Sequence, residues 1–150
     1  MTQQNKFTLT MPSRSSNEYF ARVAVSSFLT QLDPTIDEIS DIKTAVSEAV
    51  TNCIVHAYKN EIGNIYITVR ILECNIVEIK VRDKGCGIPD IDKAMEPLYT
   101  TAGGERAGLG FAVMQSFTDN LRVVSRVGKG TTVTMKKRIS VRVGNNGKQG

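Results

Sequence analysis

The feature that most constrains this fold is a pair of alternating segments with a very short connection between them. Apolar residues occupy nearly every second position in IYITVRI (65–71) and again in IVEIKVR (76–82). Such alternation is typical of strands that bury one face. The connection around ECN (73–75) is too short for a crossover, so it predicts a hairpin. The chain must therefore build an antiparallel sheet.

An edge strand and two helices are predicted before this hairpin. The strand, KFTLTMP, ends at Pro12, because proline cannot donate to a neighbouring strand. Ser15 or Ser16 is predicted to cap the first helix, NEYFARVAVSSFLTQL, which has apolar residues at helical spacing. The second helix is predicted to begin at Asp33-Pro34 and to run through TIDEISDIKTAVSEAVTNCIVHAYKN, since proline suits a first helical turn.

The second half of the chain again contains elements of both kinds. Residues 91–107 are predicted to be irregular, because Pro97 and a Gly-Gly pair interrupt any pattern. GLGFAVMQSFTDN predicts a short helix opened by glycines, and LRVVSRV and TTVTMKKRI predict two antiparallel strands. Because no β-α-β alternation appears, we expect an α+β domain over residues 1–139, with a mixed, mostly antiparallel sheet and helices on one face. Residues 140–150 are predicted to be a disordered tail.

Composition limits the classes of function. The 150 residues are 41% hydrophobic and 23% charged, as in soluble domains with their own core. The net charge of +4 comes from dispersed residues without a basic run, so direct nucleic-acid binding is not predicted. Neither a membrane span nor a signal-peptide layout is evident. Three cysteines without a CxxC pair and one histidine disfavour disulfides and multi-histidine metal sites, so a cytoplasmic location is predicted.

A polar stripe on the long second helix is the first candidate site. Glu48, Asn52 and His56 lie four residues apart and share one face. Taken alone, the stripe has an ordinary interpretation as a solvated helix face. A carboxylate and an amide oxygen one turn apart can also hold Mg²⁺ with its water, or place a base beside a hydroxyl. In that interpretation Asn52 binds the metal and Glu48 takes the proton, while His56 is structural.

A glycine-rich turn after the hairpin is the second candidate site. Asp83 ends the strand, and Gly85 and Gly87 follow within RDKGCGIPD. The ordinary interpretation is a tight turn with positive-φ residues. Alternatively, the Asp83 carboxylate accepts from an exocyclic amine such as that of adenine, and the glycines let a flat ring lie against the backbone. The dinucleotide-binding fingerprint is excluded, because the third glycine is missing.

The glycines of AGLGFAV are the third candidate. Gly108 and Gly110 are predicted to open a helix whose free N–H groups attract an anion, although an ordinary helix start is the alternative. Thr100, Thr101 and Arg106 precede them, and the Arg106 guanidinium can clamp a phosphate. The sequence has no P-loop, no HRD or DFG kinase motif and no G-x-S-x-G element.

The order of these motifs resembles one superfamily. A helix with E-x-x-x-N, a strand with D-x-G-x-G, a G-x-G helix and a GKGTTV strand start follow one another as in the GHKL ATPases, over about residues 6–139. That superfamily includes gyrase, Hsp90, MutL and histidine-kinase catalytic domains, and its fold is a two-layer sandwich. Longer stretches, such as FLTQLDPTIDEISDIKTAVSEAVTNCIVHAY and VRDKGCGIPDIDKAMEPLYTT, resemble the anti-sigma factors of spore-forming bacteria, which are small serine kinases.

The resemblance implies a role for each motif residue. Glu48 would be the general base for a serine hydroxyl or water, Asn52 would coordinate Mg²⁺, and Asp83 would bind the adenine amine of ATP. Further nucleotide contacts would come from Gly85, Gly87, Thr100, Thr101, Arg106, Gly108, Leu109, Gly110 and Thr131. The lid sequence TTAGGERAG departs from the family pattern, because it is glycine-rich and has no lysine after the threonines.

The same resemblance implies protein partners. An ATP-bound homodimer would hold a sporulation sigma factor inactive, and the phosphorylated substrate would be a serine on an anti-anti-sigma protein. Arg14 and Arg22 are the candidate partner contacts. Three alternatives remain open: a stress-response type of anti-sigma kinase, a nucleotide-gated sigma-binding module with little kinase activity, and a detached histidine-kinase domain. The last is disfavoured, because no helix pair with a phospho-accepting histidine is evident.

Overall fold

The strands and helices follow the predicted order. A computed structural model describes residues 2–96 and 105–141, with residues 105–109 described by their backbone alone. The elements are β1 (Gln3–Pro12), α1 (Ser16–Leu29), α2 (Ile36–Asn52), β2 (Asn64–Leu72), β3 (Ile76–Asp83), α3 (Ile91–Met95), α4 (Glu105–Phe117), β4 (Asn120–Arg126) and β5 (Gly130–Arg138). The α+β class expected from the sequence is confirmed.

The five described strands form one sheet in the order β1-β2-β3-β5-β4. Every pairing between them is antiparallel. Strands β2 and β3 form the predicted hairpin, with Leu72 opposite Ile76 beside the turn. The second hairpin, of β4 and β5, joins the first through β5 and β3. Strands β1 and β4 are therefore the edges, as expected for β1.

Alternating strand residues face the helices and form the core with them. On β2, Ile65, Ile67, Val69 and Ile71 are at most 1% exposed. Burying an aliphatic side chain of this size contributes about 1.5–3 kcal/mol. The helical side of the core includes Ala21, Val25, Leu29, Ile42, Val46, Val50, Phe111 and Met114. The helices thus cover one face of the sheet, which gives two layers. No helix in the described parts of the chain is long and apolar enough to cross a membrane.

The predicted start of α2 is wrong by a few residues. Asp33 has a left-handed backbone with φ 52°, and the first helical residue is Ile36. The Thr35 hydroxyl accepts a hydrogen bond from the N–H of Glu38 at 3.1 Å, and the Glu38 carboxylate accepts from the N–H of Thr35 at 2.9 Å. This reciprocal pair is a capping box. The other Glu38 oxygen accepts from the N–H of Ser140 at 2.8 Å, so the helix start also holds the chain after β5.

The predicted long helix changes its hydrogen bonding near its end. Helix α2 ends at Asn52, and Cys53–Ala57 form one π turn, in which the N–H of Tyr58 donates to the Cys53 carbonyl at 3.0 Å. Single π turns are frequent at functional sites. Here the Ala57 carbonyl accepts from the N–H of Cys86 at 3.1 Å. The π turn therefore joins the helix to the loop after β3.

The segment predicted to be irregular is helical at both of its ends. Helix α3 is capped by the Asp90 carboxylate, which accepts from the N–H of Lys93 at 3.1 Å. Helix α4 begins at Glu105, so Gly108 and Gly110 lie within it rather than opening it. The residues Glu105 to Ala107 are good helix formers, which explains the earlier start. Residues 97–104 and 142–150 lie outside the described residues.

We expect Thr35→Ala to lower the free energy of unfolding by about 1 kcal/mol, because the mutation leaves the N–H of Glu38 without its cap. Urea denaturation would measure this change. Thr44→Ala is the matched control, since its hydroxyl only bonds back to the Ser40 carbonyl at 3.0 Å in the middle of the same helix. Equal losses in the two variants would contradict a special role for the capping box.

Candidate nucleotide site

An open pocket lies between the π turn, the end of β3 and helix α4. Its empty space, counted out to the open mouth, is about 650 Å³. Apolar walls come from Ala49, Ile88, Ala94, Phe111 and Val133. Predominantly apolar walls with a few placed polar groups suit a flat heteroaromatic ligand.

Asp83 is the acidic residue that lines this pocket among the described residues. Its side chain is buried, and Oδ1 accepts from the N–H of Gly85 at 2.9 Å and from that of Thr131 at 3.2 Å. Among the described residues, Oδ2 receives only the weak thiol donor of Cys53, with Sγ at 3.6 Å. Burial raises the pKa of Asp83, and these hydrogen bonds only partly offset that effect. Oδ2 therefore keeps capacity to accept a hydrogen bond from a ligand amine.

Cys53 also lines the pocket, although its sequence pattern did not predict this. Its thiol is buried. Burial is the larger cause and the neighbouring Asp83 carboxylate the smaller cause that raise the pKa of Cys53 well above its usual range. The thiol thus stays protonated and donates to the carboxylate. The period of helix α2 places Cys53 on the apolar side, so nothing in the pattern distinguishes it from an ordinary core residue.

The two glycines of the loop serve close backbone packing. A Cβ on Gly85 would lie 2.3 Å from the Ala57 carbonyl oxygen, and a Cβ on Gly87 would lie 2.3 Å from that of Arg126. Gly87 also has φ +78°, a left-handed conformation that favours glycine. Gly87 lines the pocket. At Gly85, in contrast, the π turn occupies the space that a side chain would need.

Thr131 lies beside Asp83 through the pairing of β3 with β5. The two residues are direct Cα partners, and Thr131 is buried in the pocket wall. Its hydroxyl lies 2.7 Å from Ser125 Oγ, which also accepts from the N–H of Ile88 at 2.8 Å. Ser125 was not predicted. It connects the β4–β5 hairpin to the loop after β3, and only the register of the strands reveals this role.

Glu48 and Asn52 meet the backbone of α4 at Gly110. A Cβ on Gly110 would lie 3.1 Å from Asn52 Oδ1 and 3.3 Å from Glu48 Oε1. Any larger residue would thus press on both oxygens. Asn52 lines the pocket, and its buried Nδ2 has no hydrogen-bond partner among the described residues. His56, which continues the predicted stripe, also lines the pocket.

This pair of oxygens is compatible with a Mg²⁺ ion. Magnesium in phosphate sites is held by one or two side-chain oxygens, with waters and phosphate oxygens as its other ligands. Glu48 Oε1 and Asn52 Oδ1 both lie beside Gly110 and supply oxygen ligands of the kind that such a site needs, while the unpartnered Asn52 Nδ2 is left to donate to a water or a phosphate oxygen. No cluster of three or more His, Cys, Asp or Glu residues exists in the described part of the chain, so an all-protein cage is not available there.

The predicted phosphate contacts are only partly described. Thr100 and Thr101 lie outside the described residues, as do the side chains of Arg106 and Leu109. An α-helix leaves only the N–H groups of its first turn free. Because α4 begins at Glu105, Gly110 lies beyond that turn. The prediction that Gly108 and Gly110 open the helix is therefore wrong, although Gly110 does lie next to Glu48 and Asn52.

The two predicted partner contacts lie away from the pocket. Arg14 is exposed in the connection between β1 and α1. Arg22 is half-buried on α1, where its guanidinium lies 3.9 Å from Glu18 and 5.2 Å from the centre of the Tyr19 ring. Neither arginine lines the nucleotide pocket, so both remain predictions for a separate surface.

Comparison with known proteins defines the class of this fold and site. The family described as "Histidine kinase-like ATPase domain" matches residues 11–137. A solved structure of the RsbU and RsbW domains of a Mycobacterium tuberculosis protein superposes with TM-score 0.69 at 21% identity, covering 92% of this chain and 33% of that chain. The mycobacterial sensor histidine kinase MprB gives TM-score 0.56 at 16% identity, over 88% of this chain and 100% of that chain. The chain thus has a histidine kinase-like ATPase domain, a class that implies ATP as its ligand.

Closer relatives narrow the class to one family. An anti-sigma F factor of Caldanaerobacter subterraneus subsp. tengcongensis is 58% identical over 140 residues, or 93% of this chain and 97% of that protein. Another, of Priestia megaterium, is 50% identical over 139 residues, or 91% of this chain and 95% of that protein. The chain belongs to the anti-sigma F factor family.

We expect Asp83→Asn to weaken ATP binding about 10–100-fold. Oδ1 is held by two main-chain amides, so the new amide nitrogen would take the place of Oδ2 and would face the adenine amine donor to donor. Isothermal titration with ATP would measure the loss. Asp119→Asn is the control, because an amide oxygen there can still accept from the N–H of Arg138.

The same variant should remain folded, which separates a lost contact from a lost structure. Burial raises the pKa of Asp83 in the folded protein above its ordinary value, so ionisation of this carboxyl opposes folding. Wild-type stability relative to Asp83→Asn should therefore fall as the pH rises above the pKa of an unfolded aspartate, about 3.9, and should level off once the pH exceeds the folded-state pKa. Normal ATP affinity in Asp83→Asn would overturn the adenine assignment.

Proposed function

We propose that this chain is an ATP-dependent protein-serine kinase that also sequesters a sporulation sigma factor. One observation carries the proposal: a single pocket contains the amide-held carboxylate of Asp83 and also Asn52, whose Oδ1 lies beside Gly110, as does Glu48 Oε1. A carboxylate acceptor at one end of the pocket and a base with a metal ligand at the other are the parts that phosphoryl transfer from ATP requires.

Adenine would lie at the Asp83 end of the pocket. Oδ2 of Asp83 would accept from the 6-amino group, and the apolar walls around Phe111 and Val133 would cover the ring. Thr131 would lie beside the base, and Gly87 would let the loop backbone approach it. Gly85 would act indirectly, by letting that loop pack on Ala57.

The phosphates would extend towards α4. Arg106 would contact the terminal phosphate, and Thr100 and Thr101 would belong to the segment that closes over it. Amide contacts from Gly108, Leu109 and Gly110 would require the first turns of α4 to open, because intrahelical hydrogen bonds otherwise occupy the amide of Gly110. Asn52 would hold the Mg²⁺ ion, which when bound would neutralise phosphate charge.

Glu48 would act as the general base. Its carboxylate lies beside Gly110 at the α4 end of the site, where a substrate hydroxyl would meet the terminal phosphate. A positioned base typically contributes about 10²–10⁴-fold to the rate. Retention of a base favours a kinase over a module that only sequesters its partner, since sequestration alone does not need proton transfer.

The partners would be those of the family to which the chain belongs. A homodimer would hold a sporulation sigma factor, and the serine substrate would lie on an anti-anti-sigma protein. Arg14 and Arg22 would contribute to that partner surface. The free thiols of the described cysteines are compatible with a reducing cytoplasm. A stress-response partner pair is the alternative, and purified candidate partners of both kinds would distinguish the two circuits.

We expect Glu48→Gln to lower phosphate transfer about 10²–10⁴-fold with little change in ATP affinity, because glutamine keeps the shape of the side chain but does not accept the proton. The measurement is transfer of γ-labelled phosphate from Mg-ATP to the anti-anti-sigma protein of the same organism. Glu61→Gln, at an exposed turn, is the control. Tight ATP binding by the wild-type protein without any labelled serine would instead indicate nucleotide-gated sequestration.

We expect Asn52→Ala to remove most of the gain in ATP affinity that Mg²⁺ provides, by about tenfold or more, because an oxygen ligand is lost. ATP affinity would be measured with Mg²⁺ and with a chelator. Thr51→Ala, at the preceding position of α2, is the control. An unchanged response to Mg²⁺ in Asn52→Ala would remove this residue from the metal site.

A further inference from the structure

The face of the sheet opposite the helices carries an unusual set of charges. Strand residues alternate between the two faces, so every second residue points away from the core. Of the acidic residues within the five described strands, Asp83 points into the pocket and only Glu78 lies on the open face. The basic residues of this open face, named here the basic face, are Lys6, Arg70, Lys80, Arg82, Lys84, Arg122, Arg126, Lys136 and Arg138.

Most of this positive charge is not neutralised locally. Glu78, on the central strand β3, lies 2.8 Å from Arg70 on β2 and 3.9 Å from Lys136 on β5, so the single carboxylate of this face pairs with only two of its cations. Lys80, Arg82, Lys84, Arg122 and Arg126 have no carboxylate within ion-pair distance among the described residues, and all are exposed. The basic face thus carries more positive charge than the net +4 of the whole chain.

Hydroxyl groups alternate with these cations across the strands. Lys80 is the direct Cα partner of Thr68 on β2 and of Thr134 on β5. Thr134 is in turn the partner of Arg122 at the β4 edge, and Thr68 is the partner of Thr8 at the β1 edge. Lysine, arginine and threonine side chains are the groups that proteins use to contact nucleic-acid phosphates.

The composition of the basic face distinguishes between two kinds of partner. Protein interfaces have a more apolar centre from which lysine and acidic residues are depleted, although arginine and aromatic residues are enriched there. Here the centre is Lys80 and Arg82, and the aromatic residue at that position, Tyr66, has the Arg82 and Lys84 head groups 5.4 and 5.2 Å from its ring centre. Interfaces with nucleic acid are more polar and much more positively charged. The observations therefore favour a polyphosphate backbone over a protein surface.

We propose that the basic face binds the phosphate backbone of nucleic acid without sequence preference. The described helices pack on the other face of the sheet, so none of them is placed on this face to enter a groove. The Arg82 and Lys84 head groups both lie over the Tyr66 ring, which reduces the ring surface on which a base could stack. Binding therefore depends on charge and hydroxyl contacts alone. It is independent of the nucleotide pocket, which lies on the other side of the sheet.

The experiment is fluorescence anisotropy with labelled DNA of mixed sequence, about 20 nucleotides long, both single-stranded and duplex, between about 50 and about 200 mM salt. We expect the double variant Lys80→Gln/Arg122→Gln to bind at least about tenfold more weakly at the lower salt. Each lost phosphate contact should also reduce the salt dependence of log Kd by about 0.7–0.9.

A control with the same net charge separates the basic face from the total charge. Lys43→Gln/Lys93→Gln removes two cations from α2 and α3, on the helical side, and should bind DNA like the wild-type protein. ATP affinity measured on both double variants checks that each is folded.

Three outcomes would overturn the proposal. The first is no detectable binding to either DNA at low salt, and the second is an equal loss in the two double variants. The third is tighter binding to polyglutamate or to phosphatidylglycerol vesicles than to DNA at the same salt. That result would assign the basic face to an acidic protein or to a membrane surface.

Discussion

A buried carboxylate held by two main-chain amides is the interaction on which the nucleotide site depends. Asp83 Oδ1 accepts from the amides of Gly85 and Thr131, so one side chain fixes both the loop after β3 and the neighbouring strand β5. An unpaired buried group of this kind would cost about 1–3 kcal/mol. The same two bonds decide which carboxylate oxygen is left for a ligand. Structure and specificity therefore arise from one set of hydrogen bonds.

Close approach of backbone to backbone is the second requirement of the site. A Cβ on Gly130 would lie 2.1 Å from the Asp83 carbonyl oxygen, and one on Gly85 would lie 2.3 Å from that of Ala57. Gly110 likewise brings α4 against Asn52 and Glu48. These glycines let three separate elements meet around one pocket. Their role is thus to pack the protein on itself, and the ligand benefits from the resulting shape.

The sequence predicts the strands and the main helices well, because alternation and helical spacing are local properties. It also predicts Asp83, Asn52 and Glu48 as site residues from motif order, and the structure brings Asn52 and Asp83 to one pocket. The predicted start of α4 is wrong, because Gly108 and Gly110 indicated a helix start at their own position. The helix begins earlier, at Glu105, because Glu105 to Ala107 are good helix formers. Cys53 and Ser125 were missed, because their roles depend on strand register and on the π turn. The basic residues are dispersed along the sequence. Only the alternation and pairing of the strands bring cations such as Lys80 and Arg122 to one face of the sheet.

The unequal distribution of charge between the two layers gives the molecule a dipole moment. Positive groups concentrate on the open side of the sheet, while Glu18, Asp37 and Asp41 lie on the helices of the opposite layer. Within roughly one Debye length, about 8 Å at physiological ionic strength, such a field rotates an approaching charged molecule before contact. A partner's orientation on arrival would then depend on its own charge, and an anionic molecule would meet the sheet side more often than the helical side.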